Sequence, residues 1–92
     1  LGEEHPGVVA GLTENGFYVQ LDELWVEGFV KGETLFPDFE FEQATYRITY
    51  GNGLVVKVGA KCRVIILSVN MERKQIDFQV TELAGAEVEA HE

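Results

Sequence analysis

The chain is poor in sulfur and in positive charge, and each scarcity excludes something. Among its 92 residues there is one cysteine, Cys62, and one methionine, Met71. A single cysteine rules out an internal disulfide. It fits a reducing compartment, so a cytoplasmic location is expected. No run of eighteen apolar residues occurs, so no membrane-spanning helix and no membrane partner are expected. No secretory signal is visible and the chain does not start with Met, which suggests a piece excised from something longer. No nucleophile stands beside a base in the sequence, and there is no glycine-rich phosphate loop. Gly51-Asn52-Gly53 reads as a hairpin turn, since no helix pattern follows it. The chain is therefore not read as an enzyme, and no cofactor is expected in it.

Basic residues are scarce but not scattered. The net charge is −9, which on its own argues against a polyanionic partner. The ends, 1–4 and 82–92, carry acids and no Lys or Arg; 5–42 holds a single base, Lys31. Six bases fall within 43–81: Arg47, Lys57, Lys61, Arg63, Arg73 and Lys74. Salt screens exposed charges beyond about 10 Å at ~0.1 M, so a basic face can operate within an acidic molecule.

What is present is strand. An apolar fraction of 46% is ordinary for one globular domain and too high for disorder. Pro6 to Thr13 is apolar and β-branched, and Thr13-Glu14-Asn15-Gly16 reads as a turn, Asn-Gly being a hairpin signal because both residues tolerate positive φ. Phe17, Val19 and Leu21 alternate with Tyr18 and Gln20. A third strand spans Val26 to Lys31, where Gly28 permits a bend or close approach. Residues 32–44 read as a loop with at most one helical turn. A second hairpin joins Thr45–Tyr50 to Leu54–Val58. Cys62 to Asn70 is the longest apolar strand, and its broken alternation suggests a bulge. Gln75 to Thr81 puts Ile76, Phe78 and Val80 inward. The expected fold is all-β: a five-stranded Greek-key OB-fold barrel with an inserted hairpin between the third and fourth strands. An SH3-like barrel is the alternative. The expected organisation is a linker remnant at 1–5, the domain at 6–82 and a flexible acidic tail at 83–92.

Four blocks carry a resemblance to a known family. They are GVVAGLTENGFYVQL (7–21), VEGFV (26–30), VGAKCRV (58–64) and VNMERKQIDF (69–78). Together they resemble the S1 RNA-binding domain. The last block and the inserted segment 41–58 narrow this to the copy near the C-terminus of bacterial ribonuclease R and ribonuclease II-type exoribonucleases. The resemblance implies an OB-fold module that grips single-stranded RNA and feeds it to a separate catalytic domain of the parent chain. Carboxylate-held magnesium is implied for that absent domain only. The isolated piece is expected to be a monomer.

The resemblance also implies site residues. Tyr18 takes the position of the family's outward aromatic, with Phe17 supporting it from the core. A second aromatic position falls at Asn15 and a histidine position at Lys31. Asn70 ends the fourth strand, and Arg73 and Lys74 supply the basic turn. The RNA-binding candidates are thus Tyr18, Lys31, Asn70, Arg73, Lys74, Phe17 and Asn15. Two outward positions often occupied by Arg in relatives are here Ile65 and Ser68, so positive charge has been lost.

Each candidate also has an ordinary structural explanation. A lone surface tyrosine is common, and exposed Lys and Arg are usually only solvated. Phe29 is expected to cap a barrel end, and Trp25 to pack on the apolar rim or face another domain. Asp38, Glu40 and Glu42 read as a solvated acidic edge rather than a metal site. His5 and His91 have no evident partner, and Cys62 reads as a small core residue. The alternative function is a protein-docking OB module that has lost most of its RNA affinity, with Trp25 in the contact.

Overall fold

The structure is a computed structural model that describes residues 2–84 and the backbone of 86 and 87. Among the described residues nine strands follow in order: β1 (His5–Thr13), β2 (Gly16–Leu21), β3 (Glu27–Lys31), β4 (Phe39–Glu42), β5 (Arg47–Tyr50), β6 (Val55–Lys57), β7 (Lys61–Asn70), β8 (Gln75–Leu83) and β9 (Ala86–Glu87). One 3₁₀ turn, Gly32–Thr34, follows β3. The main sheet runs β3-β2-β1-β7-β8 and closes where β3 meets β8 in parallel, at Phe29 opposite Asp77. Five strands thus form a barrel of the OB type, as the sequence pattern led us to expect. Closure removes the open edges of the main sheet, which would otherwise be prone to pairing with other chains.

Alternation explains the interior. Val9, Phe17, Val19, Leu21, Val30, Val64, Phe78 and Val80 are all buried. Cys62 and Leu83 join them at one end. Gly28 is required on the inward side, since a Cβ there would lie 2.6 Å from the Phe78 ring. The irregular alternation of β7 is a bulge: Ile66 pairs with Phe78 and Ser68 with Asp77, leaving Leu67 between them.

The inserted hairpin is present as β5–β6, and it gains a third strand. Phe39–Glu42 pairs with β5 to make a small separate sheet. Acids at alternate positions disguised that strand as a loop. Tyr50 ties this sheet to the barrel by donating its hydroxyl to the Gly32 carbonyl at 2.9 Å. The Phe39 ring lies 5.3 Å from the Tyr50 ring. Burial pushes the Tyr50 phenol well above its ordinary range.

Two local features refine the sequence reading. Asn15 is not among the positive-φ residues; instead the Thr13 hydroxyl accepts from the N–H groups of Asn15 and Gly16, a side-chain turn that does not need a left-handed Asn. The chain after Leu83, expected to fray, forms a short return pairing of Leu83 with Ala86 and Glu82 with Glu87. Residues 85 and 88–92, with His91, lie outside the described residues.

Candidate nucleic-acid interface

β2 and β3 are antiparallel, with Tyr18 directly opposite Phe29. Since Phe17, Val19, Gly28 and Val30 all face the core, both rings are turned to the outer face. They meet edge to face, with centroids 5.0 Å apart and planes at 63°. Such a pair is held by the quadrupoles of the two rings and by their packing. Tyr18 keeps 41% of its surface exposed.

The β7–β8 turn forms the facing wall. Tyr18, Glu27, Gly28, Phe29, Arg73, Lys74, Gln75 and Ile76 line one depression of about 410 Å³. Two of the predicted cations therefore do lie beside the predicted ring. The turn is shaped by Asn70, whose side-chain oxygen accepts from the Arg73 N–H at 3.0 Å. Lys74 takes a left-handed conformation at φ 54°. That conformation costs a side-chain-bearing residue roughly 1–2 kcal/mol.

The remaining candidates divide. Lys31 lies two residues beyond Phe29, in an adjoining depression with Phe29, Leu67, Ser68 and Asp77. Asn15 is exposed in the turn beside Lys31, its carbonyl accepting from the Gly32 N–H. Asn70 does not line the Tyr18 depression, and its oxygen is engaged within the turn. Phe17 has 0% exposure, so its ring backs the sheet and cannot touch a ligand. Ser68 donates to Asp77 at 2.9 Å, and the Gln75 amide donates to the other Asp77 oxygen at 3.3 Å. Ile65 is half-buried opposite Gln79.

Phe29 was expected to cap a barrel end; it is instead half of the aromatic pair. Two inward neighbours, Gly28 and Val30, were the available signal. Glu27, Gln75 and Ile76, which line the same depression, are not among the candidates read from the sequence. Trp25 was expected to pack, but it is 97% exposed, on the β2–β3 loop beside Leu24, Asp22 and Glu23. Asp38, Glu40 and Glu42 do not converge, and among the described residues no group of three or more His, Cys, Asp or Glu side chains could hold a metal ion. Glu42 instead takes Arg47 Nε at 2.8 Å and the Thr49 hydroxyl at 3.2 Å. The Arg47 hydrogen bond holds its carboxyl below the ordinary value.

An OB-type barrel with an aromatic pair on its β2–β3 face and a basic turn across from it defines the class of this domain. Its family is equally clear: the family model of the S1 RNA binding domain matches residues 1–81, and the chain belongs to that family. It is 36% identical over 86 residues to Ribonuclease R of Vibrio parahaemolyticus, a match covering 89% of this chain and 10% of that protein. It is 34% identical over 94 residues to Ribonuclease R of Aquifex aeolicus, covering 100% of this chain and 13% of the relative. The chain thus spans about a tenth of the length of the curated relatives it matches. Two solved structures of Mycoplasma genitalium RNase R share its fold at TM-score 0.79 and 21% identity, covering 87% of this chain and 13% of that one. One is the apo form and the other a complex with ribose methylated single-stranded RNA.

Proposed function

We propose that this domain holds single-stranded RNA with little sequence preference, as an auxiliary module of a ribonuclease R-like 3′-to-5′ exoribonuclease in the cytoplasm. The observation that carries this is the Tyr18–Phe29 pair facing Arg73 and Lys74 across one depression. A base stacks on an aromatic ring whatever its identity, for about 1–3 kcal/mol. Lys74, Arg73 and Lys31 would hold phosphates, which fixes register without reading sequence. Membership of the S1 family and likeness to ribonucleases R support the reading. Catalysis and its magnesium are assigned to another domain of the parent chain, against which this one would work as a monomeric unit.

The acids temper the affinity. Glu27 lines the same depression as Lys74, and Asp77 lines the one that holds Lys31. With three phosphate contacts at ~0.7 each, the log–log salt slope is about −2. A fluorescence-anisotropy titration with labelled oligouridylate at two salt concentrations tests this. Saturable binding that weakens with salt and with Tyr18→Ala supports the reading; failure to bind at low salt refutes it. In that case the second reading stands: Trp25 and Leu24, exposed on an acidic loop, would make the domain a docking module for a basic protein surface.

A further inference from the structure

The hairpin that carries the basic turn has a second open surface. β7 pairs with β1 only from Lys61 to Val64, while its ladder with β8 runs on to Asn70 and Gln75. The tip therefore reaches beyond the β1 side of the barrel. There Val69 lies directly opposite Ile76, so the two side chains share a face. With Met71 from the turn they line a depression of about 210 Å³, completed by Asn70, Lys74 and Gln75. Ile76 packs against the core, whereas Val69 is 51% and Met71 80% exposed. A rigid ladder thus holds aliphatic surface in water, at a cost that burial under a ligand would recover.

Two features say what covers it. The depression shares Lys74, Gln75 and Ile76 with the one beneath Tyr18 and Phe29. Lys74 stands on the shared wall, where a phosphate passing from one depression to the other would meet it. We propose that Val69, Met71 and Ile76 form a second nucleotide subsite, taking the base that follows the one on Tyr18 and Phe29. This rests on the RNA-binding reading above and extends its path over the hairpin tip. The aliphatic shelf offers no base-edge donors or acceptors from its three apolar side chains, so it accepts any base face. The Met71 thioether packs favourably on aromatic rings.

The test compares a labelled uridine mononucleotide with a labelled uridine trinucleotide by anisotropy, using the 92-residue chain. The altered chain carries Val69→Thr and Met71→Ser together; both positions are solvent-facing, and an unchanged melting temperature confirms folding. The expected result is unchanged affinity for the mononucleotide and a loss of about three- to tenfold for the trinucleotide. Equal loss on both lengths, or no loss on either, overturns the subsite. If Tyr18→Ala weakens both ligands while the paired change weakens neither, only this inference falls. If the unaltered chain binds neither, the RNA reading falls and takes this one with it. A concentration-dependent dimer that the paired change abolishes would assign the patch to strand docking instead and also overturn it.

Discussion

Tyr18 and Phe29 sit directly opposite each other on neighbouring antiparallel strands, and their rings touch edge to face at 5.0 Å. One ring therefore sets the orientation of the other before any ligand arrives. Tyr18→Ala and Phe29→Ala should each weaken RNA binding, by about 1–3 kcal/mol for a lost stacking contact. Their effects should not add: a double-mutant cycle is expected to show coupling of about 0.5–1.5 kcal/mol. Tyr18→Phe keeps the ring and should bind nearly as well. Titration of the four cycle members against one oligonucleotide measures this.

Glu27 places a carboxylate in the depression that would receive a phosphate chain. Two like charges about 4 Å apart repel by about 1 kcal/mol even in bulk water. Glu27→Gln should therefore tighten RNA binding several-fold at low salt, with the gain shrinking as salt is added. Unchanged affinity at low salt would mean that the nucleic acid does not pass this residue.

Lys74 links binding and stability in opposite directions. At φ 54° it occupies a conformation that glycine adopts freely, so Lys74→Gly should raise the unfolding free energy by about 1 kcal/mol. The same change removes a phosphate contact, so RNA affinity should fall and the salt slope should flatten by ~0.7. Denaturant unfolding and binding titrations on one preparation check both signs. Reduced affinity in a more stable protein cannot be blamed on unfolding.

Cys62 and Tyr50 set an alkaline limit on the fold. Burial, with a smaller contribution from the Asp22 carboxylate, pushes the Cys62 thiol from 9.0 up to about 11. Tyr50 is raised by burial alone. In both cases the folded state holds a proton that the unfolded chain gives up more readily. Stability is therefore complete below the ordinary values and falls as pH rises from 9.0 toward about 11. Melting temperatures across that range should decline, and Cys62→Ala should flatten the early part of the decline.

Much of the barrel could be read from the sequence, because inward and outward residues alternate with period two along β2, β3 and β8. The bulge in β7 was visible as a slip in that alternation. Tyr18 was legible as the outward neighbour of Phe17 and Val19. Phe29 obeys the same rule, but its importance comes from the cross-strand register that seats it on Tyr18, and one strand alone does not reveal register. β4 was hidden because Asp38, Glu40 and Glu42 interrupt its two aromatics, so it looked like a loop. Trp25 was misjudged because a large apolar ring is usually assumed to find cover; its loop holds it almost wholly in solvent. The meeting of Arg73 and Lys74 with Tyr18 is tertiary, brought about by closure between β3 and β8, and nothing local in residues 71–74 announces it.

RNA should lie on the Tyr18–Phe29 face, and a ¹H–¹⁵N chemical-shift titration with a short single-stranded RNA locates it. The largest changes should cluster on the amides of Tyr18, Glu27, Phe29, Arg73, Lys74 and Gln75, while the indole N–H of Trp25, the chain's one tryptophan, should stay still. Shifts centred on Asp22 to Val26 and the Trp25 indole, with the Tyr18–Phe29 face unmoved, would contradict that placement.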